Sequence, residues 1–418
     1  MPLDQIKQAR LEKLKKIREA GLDAYPAKTA RTHTIAQATG EGVLVLAGRV
    51  MAIRGHGEIT FMDLRDGTGT IQLFFKGEHP TETIDIGDFI EAEGTLFTTK
   101  AGEKTLHVTR SAMLTKSLLP LPEKWHGLQD VEERYRKRYL DLLINDDVKQ
   151  KFVRRAAIIQ SIRDYLIKHQ FVEVTTPTLQ SLYGGASARP FKTHLNALNQ
   201  DMFLRIAPEL YLKRLIVGGF ERVFEFTTNF RNEGIDREHN PEFSAVEFYA
   251  AYHDYEWGME FMENMLVAIA PERFSKPFRR VRYSELMAPH GSLEDVVFKE
   301  KVRHTLIEPV FVYDYPKDMF PLAKEVFQFY AGGFELVKAF TELNDPIDQR
   351  ERFAAQENMR AKGDEEAQRM DEDFIEALEY GMPPTAGFGI GLDRLVAFLT
   401  DAHSIREVIL FPLMKPRE

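Results

Sequence analysis

The sequence predicts an α+β protein of two domains: a small closed β-barrel, then a larger antiparallel sheet flanked by helices. Three observations carry this reading. The chain has 418 residues, more than one compact core readily holds. From about Val43 to Leu114, short apolar runs are cut by Gly, Asp, Thr and Pro, the pattern of successive strands. Beyond Asp146, helical spacing and strand alternation follow one another. Composition is that of a globular chain, 44% hydrophobic and 28% charged. Cysteine is absent, which excludes disulfides and cysteine-ligated zinc. No apolar run reaches membrane-spanning length and no signal-peptide core is visible, so a cytoplasmic protein without a membrane partner is expected. Net charge is −9, so a nucleic-acid partner must be met by local basic patches.

Residues 1–20 read as an amphipathic helix, with Leu11, Leu14 and Ile17 on one side and Gly21 as stop signal. Its lysines and arginines, among them Lys7, Arg10, Lys13 and Arg18, suit RNA phosphates or a solvated face equally. The following five strand-length runs, over about 70 residues, fit a barrel of the OB type, a fold that often binds single-stranded nucleic acid. Phe61 is a candidate for stacking a base or for the core; Gln72 and Glu103 are candidates for reading base edges. Residues 117–145 form an expected connector, proline-containing first and then charged and helical (ERYRKRYLDL). The domains expected are therefore 1–116, the connector 117–145, and 146–418.

In the third part, Asp146–His169 has helical spacing, FVEVTTP reads as a strand ending at Pro177, and LYGGASARPF as a glycine-rich turn. APELYLKR starts a helix, with Glu209 in its first turn. The chain is densest in chemistry at Phe230–Tyr252, FRNEGIDREHNPEFSAVEFYAAY. This is an antiparallel pair joined by a charged loop, with Phe243, Ala245, Glu247 and Tyr249 on one face. Carboxylates on an aromatic face need a partner, either a ligand cation or internal salt bridges. Asp254–Ala270 and Asp371–Tyr380 read as helices, and GFGIGLDRLVAFLTD as a glycine-rich strand passing into a helix.

These segments resemble class II aminoacyl-tRNA synthetases, most closely lysyl-tRNA synthetases. Phe230–Tyr252 is similar to their motif 2, Gly387–Asp401 to motif 3, and the helix–strand–proline layout before it to motif 1, which forms the dimer interface in that family. GGASARPF and FELVKAFTELNDP also match, and the barrel resembles the family's anticodon-binding domain. The resemblance implies ATP-dependent activation of lysine and its transfer to the lysine tRNA by a homodimer using magnesium. It gives Arg231 the α-phosphate and the lysine carboxylate, Glu233 adenine, Phe243 one adenine face, and Arg394 the other face and the γ-phosphate. His239 and Asn240 belong to the ATP site, and Glu335 holds magnesium. Gly185 and Glu209 hold the α-amino group; Glu247 and Glu342 take the ε-ammonium, with Tyr249 and Phe340 beside it. Phe61, Gln72 and Glu103 read the anticodon.

Three positions depart from the pattern. Gln328 stands where the family has a second metal-holding glutamate, and Lys338 where it has asparagine; Thr228 replaces a frequent arginine. Gln328 would then be a weakened metal ligand, making activation slower or more magnesium-demanding. Lys338 is expected to meet the lysine carboxylate, to plug the acidic pocket, or to extend into solvent. The region Arg279–Glu335 is short, as if a helical insertion were missing. These departures leave open a non-catalytic lysine- or RNA-binding relative. Lysyl-transferring relatives that modify proteins lack the barrel.

Overall fold

The computed structural model describes residues 2–417 except 57, 78–80, 123–127 and 365, and only the backbone of residues 56 and 318. Two units emerge, Met1–Gln129 and Asp130–Glu418. Their border falls inside the expected connector, part of whose proline-containing half (123–127) lies outside the described residues.

In the first unit, β1 (Val43–His56), β2 (Ile59–Arg65), β3 (Thr70–Lys76), β4 (Phe89–Thr98) and β5 (Lys104–Thr115) close in the order β1-β2-β3-β5-β4. Alternate residues such as Met62, Leu64, Leu73, Ile90 and Leu106 fill the interior. Closure needs backbone contact at Gly94, where a Cβ would lie 2.0 Å from the His107 carbonyl oxygen. The helix Leu3–Glu19 docks through Leu14 and Ile17. Arg10 is buried, and its guanidinium donates to the carbonyls of Ile86 (2.9 Å), Ser117 (3.1 Å) and Leu119 (2.9 Å). Thus this cation belongs to the docking face, while Lys7, Lys15, Lys16 and Arg18 remain exposed.

The second unit is built on an eight-stranded sheet. Its strands are β6 (Val172–Glu173), β10 (Arg222–Phe230), β11 (Glu242–Ala251), β12 (Arg279–Arg282), β13 (Val310–Tyr313), β14 (Ala323–Ala331), β15 (Phe334–Glu342) and β16 (Thr385–Gly391). The order is β12-β13-β14-β15-β16-β11-β10-β6, antiparallel except for the β6–β10 and β12–β13 pairs. A separate small sheet has the order β7 (Leu179–Gln180), β9 (Gln200–Leu204), β8 (Lys192–Leu195). FVEVTTP supplies only the two-residue β6, paired with β10. Beyond it the chain turns away, and Thr176 donates from its amide and hydroxyl to Glu225.

The β11 alternation sorts two cores. Val246, Phe248 and Ala250 face the helices Asp146–Lys168, Tyr255–Ile269 and Leu392–Leu399, and Phe248 stacks on its cross-strand partner Phe388 at 4.4 Å. Tyr249 and Ala251 face the helices Glu209–Val217 and Glu372–Glu379. The cationic cluster of ERYRKRYLDL is used internally. Arg138 is buried against Asp141 at 2.7 Å and donates to the carbonyls of Arg406 and Leu410, while Arg134 pairs with Asp141 at 2.8 Å. Neither a solvated face nor a free tRNA contact describes Arg138. The short region after Tyr283 packs Tyr283, Phe298, Val302 and Tyr315 against β13 and β14.

Lys116 is a deeply buried lysine of the barrel unit. Lys116 Nζ meets Asp88 Oδ2 at 2.7 Å, Asp85 Oδ2 at 2.5 Å and the Thr83 carbonyl at 2.8 Å. Lys116→Met strands the Asp88 carboxylate without a cation. We expect a loss of about 3–5 kcal/mol, read by urea unfolding followed by circular dichroism; replacing Asp88 by Asn together with Lys116→Met should recover much of it.

Candidate active site

Three strands make a trough. β16 lies between β11 and β15, and presents Gly387, Gly389 and Gly391 at alternate positions. Glu247 pairs across to Gly389 and Tyr249 to Gly387 on one side; Lys338 pairs to Gly389 and Phe340 to Gly387 on the other. The floor therefore carries no side chains where the walls carry chemistry. At Gly387 this is steric necessity: a Cβ there would lie 1.9 Å from Glu342 Oε1 and 2.6 Å from Tyr249 Cε1.

One end of the trough is acidic. Glu209 starts its helix, and Lys213 stands one turn later on the same side. The fully buried Lys213 Nζ meets Glu209 Oε1 at 2.7 Å and Glu342 Oε2 at 2.5 Å. Glu342 Oε1 is buried with no hydrogen-bond partner among the described residues. Gly185, at φ +86°, brings the glycine turn onto Glu209; a Cβ there would lie 2.9 Å from Glu209 Cβ. Burial pushes the Glu247 carboxyl up to about 8, with Glu209 adding repulsion and Arg231 opposing it. Burial likewise raises Glu342, against the pull of Lys213, and Tyr249 is held well above its ordinary value by burial and the three glutamates. Glu209, Glu247 and Glu342 are three acids against two cations, Lys213 and Arg231. The pocket thus has one acid more than it has cations, and burial favours a proton on Glu247 or Glu342, which balances the charge.

Lys213 is the residue the sequence reading missed. Its signal was the four-residue spacing from Glu209 in APELYLKR, which places both on one helix face. The expectation that Lys338 plugs the pocket is not met: its ammonium sits 4.0 Å from Glu335 and 5.2 Å from the Phe320 ring centre. Glu342 lies four residues further along β15, at the strand's end.

The other end is cationic. The Arg231 guanidinium lies 5.1 Å from the Phe243 ring centre, and burial lowers its pKa against the support of Glu233 and Glu247. Arg394 holds the motif 2 loop: Nη2 meets His239 Nε2 at 3.1 Å, Nε donates to the Glu238 carbonyl at 3.3 Å, and Nη1 to the Glu335 carbonyl at 3.4 Å. His239 Nδ1 meets Asp236 at 2.8 Å, which assigns the proton to Nδ1 and leaves Nε2 accepting from Arg394. Glu233 is exposed, and Asn240 donates to the Glu242 carbonyl at 2.6 Å.

The donor set does not fit a metal ion held by two protein ligands. Glu335 offers a carboxylate, kept below its usual range by Lys338, Arg394, Arg303 and Lys299 against the cost of burial. Gln328 offers nothing. Its Oε1 accepts from the Tyr315 hydroxyl at 2.8 Å and from the Tyr330 hydroxyl. A metal at Gln328, expected there as a weakened ligand, would have to compete with these two hydroxyls for the oxygen. Glu335 alone suits a magnesium ion brought by a nucleotide.

On the barrel, Phe61, Gln72 and Glu103 converge. Gln72 Nε2 donates to Glu103 Oε2 at 2.9 Å, and the Thr105 hydroxyl donates to Gln72 Oε1 at 3.1 Å. Phe61 lies outside the barrel core, with its ring 5.2 Å from Phe74. Phe74 also contacts Phe97 and His107, at 5.8 and 5.4 Å. The sequence reading did not single out these three. The two-residue period of β3 carried the signal for Phe74, since Ile71, Leu73 and Phe75 are the buried set.

Residues 130–415 match the family described as tRNA synthetases class II (D, K and N), and residues 44–111 match the OB-fold nucleic acid binding domain. Fold and site thus define a class II aminoacyl-tRNA synthetase with an N-terminal OB domain. Similar proteins include lysine–tRNA ligases of Carboxydothermus hydrogenoformans (44% identical, covering 100% of this chain and 99% of the relative) and Clostridium novyi (46%, 97% and 94%). That of Roseiflexus castenholzii is 45% identical, with 100% of both chains covered. The chain belongs to the lysine–tRNA ligase family. The first of these alignments runs over 483 positions against 418 residues here, so that relative carries segments this chain lacks.

Two outcomes test the trough. Gly387→Ala should weaken lysine binding at least about 100-fold, nearly 3 kcal/mol, by calorimetric titration of a protein whose circular dichroism is unchanged. The pH test follows from Glu247, an acid whose folded pKa lies above its unfolded value. Its stabilising contribution is complete below about 4.5 and is lost as pH rises through about 8. The ligand-free protein should melt lower at pH 8.5 than at pH 6, and lysine should tighten over this range by up to about tenfold per pH unit.

Proposed function

We propose that this protein activates lysine with ATP and transfers it to the lysine tRNA. The observation that carries this is the buried pocket in which Glu209, Glu247 and Glu342 outnumber the cations, with a Glu342 oxygen that has no partner among the described residues. Free lysine carries a net charge of about +1 near pH 7, so its ε-ammonium can replace the proton that Glu247 or Glu342 otherwise holds. The ε-ammonium sits among Glu247, Glu342 and the Tyr249 hydroxyl, with its methylenes on Phe340. Glu209 keeps Oε2 for the α-amino group, beside Gly185. An acidic amino acid would instead meet three carboxylates in a buried space.

The chemistry asks for placement and charge neutralisation. The lysine carboxylate is already ionised, so no general base is required. One of its oxygens attacks the α-phosphorus, and pyrophosphate leaves with the electrons of the bridging bond. Arg231 bridges carboxylate and α-phosphate, Phe243 stacks on adenine, and Glu233 with nearby backbone reads its edge. Arg394 covers the other adenine face and reaches the γ-phosphate, with His239 near the terminal phosphates and Asn240 beside them. Magnesium carried on the phosphates would meet Glu335 and would neutralise charge there. Phe61 stacks an anticodon base, and Gln72 and Glu103 read base edges.

We assign the protein to the cytoplasm, the compartment of its tRNA substrate; among the described residues no helix is long and apolar enough to cross a membrane. We further propose a homodimer. A groove of about 660 Å3 runs between the helix Asp146–Lys168, the outer ends of β10 and β11, and the C-terminal residues. Phe411 and Leu413 on it are 68% and 58% exposed. A second copy covering this groove would bury them.

The test is lysine-dependent ATP–pyrophosphate exchange. Lysine should support it, and aspartate and asparagine should not. Glu247→Gln should lower kcat/KM for lysine by roughly 100-fold, the loss of one buried charge contact. Exchange with aspartate but not lysine would overturn the reading.

A further inference from the structure

Gln328 and Lys338 are direct cross-strand partners on β14 and β15. Gln328 is 5% exposed, and its carbonyl end is taken by two tyrosine hydroxyls. Both hydroxyls are buried, which keeps them protonated well past neutral pH, and they bond to each other as well as to Gln328 Oε1. What Gln328 has left is its amide NH2, a donor. Neither it nor the ammonium of Lys338 can ligate a cation; both suit an anion. Lys338 Nζ is near Glu335 without a close bond, at 4.0 Å, and its side chain keeps 40% exposure toward solvent. The neighbouring cations Arg394, Arg303 and Lys299 also act on Glu335. A second divalent ion at this point would find one carboxylate, already compensated, and an ammonium within repulsive range.

We propose that the Lys338 ammonium is a built-in cation for the polyphosphate of the nucleotide, standing where a second protein-held divalent ion would otherwise be needed. The inference rests on the proposed use of ATP and deepens it: nucleotide binding should need no more metal than the nucleotide itself brings. An ammonium is a mobile point charge on a long stem, suited to phosphate oxygens whose positions change as pyrophosphate departs. The geometry reverses the expectation, drawn from the residue types alone, that Gln328 makes the enzyme more magnesium-demanding. The paired positions exchange a carboxylate–metal contact for a direct ion contact.

The experiment measures ATP binding to the full chain without lysine, by calorimetry, in EDTA and in magnesium. The native protein should bind ATP in EDTA, and Lys338→Asn should weaken that binding by about tenfold, the size of one partly solvated ion contact. In magnesium the loss should be markedly smaller. Lys338→Arg should keep metal-free binding. The double variant Gln328→Glu/Lys338→Asn should take up more Mn2+ per bound non-hydrolysable ATP analogue than the native protein, by electron paramagnetic resonance. Undetectable metal-free ATP binding by the native protein would overturn the proposal. So would equal losses in Lys338→Asn with and without metal, or an altered lysine affinity with ATP binding intact, since Lys338 would then serve the lysine carboxylate. Failure of lysine-dependent exchange with metal-free ATP binding retained would instead sink the proposed function and leave the role of Lys338 standing.

Discussion

The Glu209–Lys213–Glu342 bridge is the constraint on which the site depends. Three carboxylates face a buried space, and their mutual repulsion would prevent closure without a cation. Lys213 provides it from inside the helix that also supplies Glu209. One ammonium then ties the helix Glu209–Val217 to the end of β15 across β16. It stops short of full neutralisation. The remaining charge and the free Glu342 oxygen are what a substrate ammonium can use, so stability and selectivity come from the same cluster.

The glycine stripe of β16 complements this bridge. Gly387, Gly389 and Gly391 give up packing and backbone rigidity at three positions of a central strand. In return, the walls of the trough approach closely enough for Glu342 and Tyr249 to share one space. The strand's other face is fully packed: Ala386, Phe388 and Ile390 are buried in the main core, with Phe388 stacked on Phe248. One strand therefore anchors the sheet with one face and leaves room for chemistry with the other.

The two ends of the trough use charge differently. The acidic end is nearly sealed and its excess charge is stored as a raised carboxyl pKa. The cationic end is open, and its groups hold one another loosely, Arg394 through His239 and Glu238, Arg303 through Glu238. Such contacts are readily exchanged for phosphate oxygens, because each costs little to release near solvent. Lys338 falls between the two ends, and its pairing with Glu335 puts it with the second group.

Much was legible in the sequence because it is local. The barrel's alternation, the helix starts at Asp146 and Glu209, and the facing of Phe243, Glu247 and Tyr249 follow from backbone periods of 2 and 3.6 residues. The residues on each face of β11 were therefore readable before any fold was known. The motifs named the family, since their combination is specific. What the sequence could not decide is which partner each charged group chooses, because those partners lie on different strands and helices. Arg10, Arg138 and Lys213 read as surface or unassigned cations, and the fold buries all three. The family resemblance made Gln328 a metal ligand, yet Tyr330 two residues on and Tyr315 from beyond the neighbouring strand both reach its oxygen. Residue type sets what a side chain can bind; only tertiary structure sets which competitor is nearest, and in a low-dielectric interior the nearest partner wins.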